Sequence, residues 1–294
     1  MRLLILSRSG ELYSTRSLFT AARRRNHFVR IVDHLGCDLL IENGANKVFC
    51  NGQSLIGYDA VIPRIGHTVT GQGAAVIRHF ESMGLLTTIS ADALIRARDK
   101  MSCLQVLSHK GIPVPTTVMV NTYAEIHHLH KKILAYPKIL KVLSGTHGLG
   151  VLKADDEQSL IVMMEAFYNL KQKMIVQEFI AESSGHDIRA FVVNGEIVAS
   201  MMRTAPEGEF RSNLHRGGHG KPVLLSPHER EVAIEATRLL DLPVAGVDML
   251  RSNRGPLVIE VNASPGLEGI ETVTKVDVAK KIILYLESRR KGSI

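Results

Sequence analysis

The chain has 294 residues, of which 45% are hydrophobic and 22% charged, with a formal net charge of +7 at pH 7. That length supplies a core for one large domain or for two to three small ones, and no apolar stretch approaches the ~20 residues of a membrane-spanning helix. Trp is absent, aromatics are only 5%, and no Lys/Arg block interleaves with Phe or Tyr, so the charge points to anionic ligands rather than to direct nucleic-acid or membrane partners.

The first segment, Met1-Arg-Leu-Leu-Ile-Leu-Ser7, is too short for a signal peptide and meets Arg8 at once, which makes the cytoplasm the expected location. Leu3–Ser7, Phe28–Asp33, Ala60–Ile65 and Leu86–Ile89 are short apolar runs. Helix-like segments at Thr15–Asn26 and Gly73–Met83 separate them, an order that predicts a small α/β unit over residues 1–97. Arg23-Arg24-Arg25 and Arg289-Arg290-Lys291 each end a predicted helix, where cations complement the dipole. Cys37, Cys50 and Cys103 are odd in number and scattered, so neither a disulfide framework nor a Cys-rich zinc site is expected.

A second unit opens at Arg98-Asp99-Lys100. Asp99 suits the cap of a helix that runs to His109 and stops at Gly111 and Pro113. Lys100 is unfavourable beside a helix N-terminus, which points to an anion or to simple exposure. Asn121–Ile133 reads as a surface helix; His127, His128 and His130 lie on it, and only His127 and His130 share a face. Residues 137–153 read as strand, glycine-rich loop and strand, with Lys141 on the entering strand and glycines at 145, 148 and 150. Such a hairpin is either an ordinary turn or a flap whose amides approach phosphate oxygens. It is not a Walker A loop, because Lys141 precedes the glycines and a strand follows them.

The third unit begins at the apolar strand Met174–Glu178. Asp187 and Arg189 share one face of the next strand, either paired with each other or facing a ligand. Asn194-Gly195 is a two-residue hairpin signal. A simple turn there puts Arg203 on the face opposite to Asp187, so a shared site requires a bulge. The aperiodic Thr204–Pro222 segment reads as a binding loop, with Arg211, Asn213 and Arg216 as donors and Phe210 and Leu214 as anchors. Its His215 and His219 have no assigned role.

Gly246–Asn262 is the most informative stretch. Apolar residues alternate with Asp248, Glu260 and Asn262 on two predicted strands. A three-residue turn at Asn253-Arg254-Gly255 sets Ser252 against Pro256 and Asp248 against Glu260, about 5 Å apart at Cβ. Two carboxylates and an amide oxygen suit a hard divalent cation. A solvated hairpin with aligned acids is the alternative.

Arg98-Asp-Lys100, Lys141 with Ser144–Gly150, Gln177-Glu178, Asp187-Ile-Arg189, Phe210–Gly218, and Asp248 with Glu260-Val-Asn262-Ala-Ser-Pro-Gly266 together resemble the ATP-grasp superfamily, and within it RimK-type α-L-glutamate ligases. The likeness spans nearly the whole chain. It implies an α/β (α+β) ATP-grasp fold: an N-terminal pre-ATP-grasp domain at 1–97, a central lobe at 98–173 and a C-terminal lobe at 174–294, with ATP between the lobes. It further implies that Lys100 and Lys141 contact phosphates; that Glu178 with Phe179 or Ile180 meets the adenine and the ribose; that Asp187 holds the ribose side; and that Gln177 and Arg189 also belong to the nucleotide-binding set. Arg211, Ser212 and Asn213 face phosphate and substrate, Arg203 and Arg211 assist catalysis, and Asp248, Glu260 and Asn262 bind two magnesium ions, with manganese as a substitute. L-Glutamate and a protein acceptor, small-subunit ribosomal protein S-six, are the implied partners, and a homo-oligomer, a tetramer in the family, the implied assembly. A different amino acid or small-molecule acceptor, or a non-ligating phosphotransferase, is the alternative activity.

Overall fold

The computed structural model describes residues 1–120, 135–143, 150–212 and 217–291. The N-terminal unit is built on a four-stranded parallel sheet of β1 (Arg2–Leu6), β2 (Phe28–Val32), β6 (Ala60–Pro63) and β7 (Leu86–Thr87), in the order β2-β1-β6-β7. Leu3, Leu4, Ile5 and Leu6 are all fully buried, which explains the unbroken apolar run: a central parallel strand is covered on both faces. Leu3 and Ile5 enter one core, Leu4 and Leu6 the other. A small antiparallel sheet, β3 (Cys37–Leu40), β4 (Lys47–Cys50) and β5 (Gln53–Ser54), is inserted between β2 and β6. No apolar run predicted it, because the strands are two to four residues long and half exposed.

Helices α1 (Tyr13–Arg24), α2 (Thr70–Ser82) and α3 (Ala91–Arg98) complete this unit, and α4 (Lys100–His109) follows. The side chain of Asp99 caps α4, accepting from the amides of Met101 and Ser102, both at 3.0 Å. The central sheet has the order β10-β9-β11-β8, from β8 (Thr117–Val120), β9 (Lys138–Val142), β10 (Val151–Ala154) and β11 (Met174–Glu178), with α5 (Glu157–Asn169) packed on it. Residues 174–178, expected at the start of the C-terminal lobe, therefore belong to the central sheet, where β11 pairs with both β8 and β9.

The third sheet has the order β14-β13-β12-β15-β16: β12 (His186–Val193), β13 (Glu196–Thr204), β14 (His219–Pro222), β15 (Val244–Ser252) and β16 (Gly255–Asn262). Helices α6 (Pro227–Leu239), α7 (Glu268–Thr274) and α8 (Val278–Lys291) accompany it. The end of the expected 204–222 loop is thus strand β14, which pairs with β13. Ile188, Ala190 and Val192 join the core of Leu4 and Leu6, whereas Phe191 and Val193 join that of Leu3 and Ile5. Both cores run from the parallel sheet into the five-stranded one and bind the two together. The central sheet keeps a separate core of Val118, Leu140, Ala154, Leu160, Met164, Met174 and Val176. Arg25 adds a two-pronged ion pair to Glu287 at 2.6 and 2.7 Å, tying α1 to α8.

Gly73 marks a close approach of α2 to the segment after β6, since a Cβ there would lie 2.4 Å from Cγ2 of buried Ile65. Gly73→Ala should destabilise the protein by about 1–3 kcal/mol through overpacking, despite the better helix propensity of Ala. Urea unfolding at constant m-value measures it, and an unchanged or raised midpoint would refute the packing assignment.

Candidate active site

The five-stranded sheet carries four buried or largely buried charges in a row. A two-residue turn at Asn194-Gly195, both at positive φ, closes β12 and β13. The register then shifts: Val192 faces Ile197 but Phe191 faces Ala199, so Val198 is extra. This bulge moves Arg203 opposite Asp187, as a shared site required. Arg203 donates from Nε and Nη2 to the two Asp187 oxygens, each at 2.6 Å, and Nη2 lies 2.9 Å from Asp248 Oδ2. Arg189, opposite Asp248 on β15, grips it at 2.7 and 2.6 Å. Asp187 and Arg189, which share a strand face, thus pair across strands and not with each other.

Two arginines and two aspartates cancel in charge, which is what permits them to be buried. Burial works against ionisation of Asp248, but Arg189 and Arg203 outweigh it and hold the carboxyl well below its ordinary range. For Arg203, the opposing burial is likewise outweighed by Asp248 and Asp187, which keep it firmly protonated.

The β15–β16 hairpin differs from its sequence-based register. Ser252 pairs with Gly255, not Pro256, so the turn has two residues, Asn253-Arg254. That turn alone would put Asp248 and Glu260 on opposite faces. A second bulge, at Ile259, restores the pairing, since Met249 faces Val258 whereas Asp248 faces Glu260. Glu260 is exposed and has no hydrogen-bond or ion-pair partner among the described residues. Asn262 Oδ1 accepts from the Ser264 amide at 3.0 Å and keeps a second lone pair. The donors at 248, 260 and 262 are all oxygens, the chemistry of a hard cation. No cluster of three or more His, Cys, Asp or Glu side chains able to hold a metal occurs among the described residues. The donor set therefore suits an ion that keeps waters or ligand phosphates in its shell, as magnesium does.

The central sheet faces these acids. Burial, with a smaller contribution from Lys100, pushes the Lys141 ammonium down to about 8 against the opposing pull of Glu260, Asp248 and Asp187. Lys141 is therefore the electrostatic neighbour of all three carboxylates. Lys100 Nζ donates to the Leu143 carbonyl at 3.4 Å. Gln177 is buried and donates to Thr117 Oγ1 at 2.8 Å. Glu178 Oε1 accepts from the Thr116 amide at 2.7 Å and from Arg254 at 2.6 Å. Burial would raise its pKa, yet these partners leave it lowered. The Lys153 ammonium sits 5.3 Å from the Phe179 ring centroid.

Arg211 binds Glu209 at 2.6 Å and reaches the Val151 carbonyl at 3.3 Å, linking its loop to β10. The Arg211 contact is the main reason that the Glu209 carboxyl is held at about 2. Ser212 is buried beside it, and His219 is exposed on β14. Asn213, the glycine stretch Ser144–Leu149, the segment Asn121–Ile133 with His127, His128 and His130, and Leu214, His215 and Arg216 lie outside the described residues. The role of Arg254 was hidden from sequence because it occupies a turn position, where charged residues usually meet only solvent.

A parallel-sheet domain, a central antiparallel sheet bearing lysines and a larger antiparallel sheet bearing carboxylates define an ATP-grasp protein. Residues 1–94 match the RimK PreATP-grasp domain and residues 97–286 the RimK-like ATP-grasp domain. A probable α-L-glutamate ligase of Cellvibrio japonicus is 49% identical over 291 residues, covering 99% of this chain and 97% of that protein. Another, from Thioalkalivibrio sulfidiphilus, is 47% identical over 287 residues, covering 98% and 95%. The solved ATP-grasp ligase PsnB, complexed with a phosphomimetic variant of its minimal precursor, Mg and ADP, shares the fold with a TM-score of 0.76 at 19% identity, over 99% of each chain. D-alanine–D-alanine ligase of Bacillus anthracis does so with a TM-score of 0.67 at 16% identity, over 98% of this chain and 96% of that one. The chain belongs to the RimK-like ATP-grasp family and is an ATP-dependent, ADP-forming acid–amino-acid ligase.

Arg203→Met would leave Asp187 buried without its ion-pair partner among the described residues. Stability should fall by about 3–5 kcal/mol, the usual cost of halving a buried ion pair. A loss under about 1 kcal/mol in chemical denaturation would show that the charges are not interdependent.

Proposed function

We propose that this chain adds L-glutamate to the carboxyl terminus of a protein, with small-subunit ribosomal protein S-six as the acceptor that the family resemblance suggests. The observation that carries the reading is that Lys141 of the central sheet lies in the electrostatic field of Glu260, Asp248 and Asp187 of the five-stranded sheet. A phosphate-binding cation opposite a set of cation-binding oxygens is what transfer of the ATP γ-phosphoryl group demands.

A carboxylate is a poor electrophile until one of its oxygens becomes a leaving group. The acceptor carboxylate oxygen attacks the γ-phosphorus, the bond to the β-phosphate oxygen breaks, and ADP and an acyl phosphate form. The uncharged α-amine of glutamate then attacks the acyl carbon. Phosphate leaves, the amine loses a proton, and the amide remains. No enzyme nucleophile is needed, so this chain's residues bind, orient and neutralise charge.

Lys100 and Lys141 hold phosphate oxygens. Gln177, Glu178 and Phe179 border the adenine and ribose. Both Asp187 oxygens are engaged by Arg203, so Asp187 acts through Arg203, and Arg189 in the same way orients Asp248. Arg203 and Arg211, with Ser212 and Asn213, face the transferred group. Asp248, Glu260 and Asn262 would hold magnesium, two ions with manganese as a substitute, and the metal supplies charge neutralisation on the phosphates when bound. The pre-ATP-grasp unit serves the acceptor. No helix among the described residues is long and apolar enough to cross a membrane, which accords with a cytoplasmic enzyme, here proposed as a homo-oligomer.

ADP release should require glutamate, acceptor and magnesium together; release indifferent to the amino acid present would contradict the assignment. Glu260→Gln, at an exposed position, should lower turnover about 100-fold or more with an unchanged unfolding midpoint. Because Lys141 loses its proton near 8 in the free enzyme, nucleotide affinity should fall as pH rises from 7 to 9. Lys141→Met should bind weakly and show a flat profile, and a wild-type slope in that variant would exclude Lys141 as the titrating group.

A further inference from the structure

Arg64 and Arg98 have no role in the site as described. Arg64 follows β6, and its Nη2 donates to the Pro265 carbonyl at 2.8 Å and more weakly to that of Ser264 at 3.4 Å. Arg98 ends α3 and donates from Nη2 to the Ile65 carbonyl at 2.8 Å, while its buried Nε has no hydrogen-bond partner. Neither guanidinium lies within ion-pair distance of a carboxylate among the described residues, unlike Arg189 and Arg203. The two crowd each other: burial first, then Arg98, pushes Arg64 down to about 10. Burial also lowers Arg98, against the pull of Glu260.

Two adjacent, partly desolvated like charges held only by backbone carbonyls are costly unless an anion joins them. Their place in the fold suits a ligand. Arg64 stands at the carboxyl end of β6, beside β1, where the order β2-β1-β6-β7 reverses, and ligands of open α/β sheets bind outside such a switch point. The lysines and carboxylates already account for nucleotide and metal. What the reaction still lacks is a receptor for the carboxylate that is to be phosphorylated.

We propose that Arg64 and Arg98 form that receptor and bind the terminal carboxylate of a peptide acceptor. The assignment rests on the ligase reading above. The carbonyls of Pro265 and Ile65 fix the guanidinium planes through Nη2 of each arginine, and the Nη1 donors of Arg64 and Arg98, which those carbonyls do not use, are left for two carboxylate oxygens, the planar recognition at which arginine excels. A purely structural Arg64, latching the Ser264-Pro265 segment to the N-terminal unit, predicts lost stability without a selective change in ligand binding.

Calorimetry separates the two. N-Acetyl-L-glutamate, whose blocked amine makes it a mimic of a peptide terminus, is titrated into the full chain with magnesium and AMPPNP; its α-amide is the control. Wild type should bind the acid and not the amide. Arg64→Lys and Arg98→Lys, which keep charge but lose the fork, should each bind the acid at least about tenfold more weakly, with AMPPNP affinity within about twofold of wild type. Arg64→Gln should be weaker still. Equal binding of acid and amide by wild type, unchanged affinity in the lysine variants, or a parallel loss of AMPPNP affinity would each overturn the proposal. Glutamate transfer is scored separately by mass, so a wild type that binds the acid but transfers nothing overturns the ligase reading and leaves the receptor standing.

Discussion

The arrangement depends on one interaction, the buried row Asp187–Arg203–Asp248–Arg189 across three neighbouring strands. Each aspartate of the row is met by an arginine and each arginine by an aspartate, so every buried charge faces its opposite. Removing Arg203 leaves Asp187 without its ion-pair partner among the described residues and leaves Asp248 with one arginine instead of two. The row also sets the geometry of what lies above it. Asp248 is fixed by Arg189 and Arg203, Glu260 lies opposite Asp248 in the register, and Asn262 follows two residues on. The sheet thereby presents a rigid floor, as a site that works by positioning needs.

Two bulges make that floor possible. Both hairpins close with two-residue turns, and either, continued in simple register, would point its functional residue away from the partner strand. The extra residues Val198 and Ile259 correct the phase. They cost local ladder regularity and are placed where a charged side chain has to be re-aimed, a recurrent use of bulges near active sites.

The contrast shows what sequence can carry. The parallel strands, the Asp99 cap and the Asn194-Gly195 turn were legible because each follows from local chemistry: continuous apolar runs, a side-chain acceptor before a helix, a dipeptide suited to positive φ. The pairing of Asp187 with Arg203 was not, because alternation leaves it open until the bulge is known. The β15–β16 register was read with the wrong turn and still aligned Asp248 with Glu260, since a three-residue turn and a two-residue turn plus bulge shift the phase equally. The short β3–β5 sheet and the edge strand β14 escaped notice because their strands are too short and too exposed for a period to show. Arg64 and Arg98 stood in plain view, but that no carboxylate among the described residues lies within ion-pair distance of them is a property of three dimensions alone.

Two electrostatic poles emerge, one of lysines on the central sheet and one of carboxylates on the five-stranded sheet, with an arginine pair at the edge of the N-terminal unit. They suit the proposed transfer, in which no enzyme nucleophile takes part. Mass spectrometry of the acceptor after incubation with ATP, magnesium and a pool of amino acids tests this most directly. The predicted result is an ATP-dependent gain of whole glutamyl residues at the carboxyl terminus, and a gain of phosphate alone, or of a different amino acid, would contradict it.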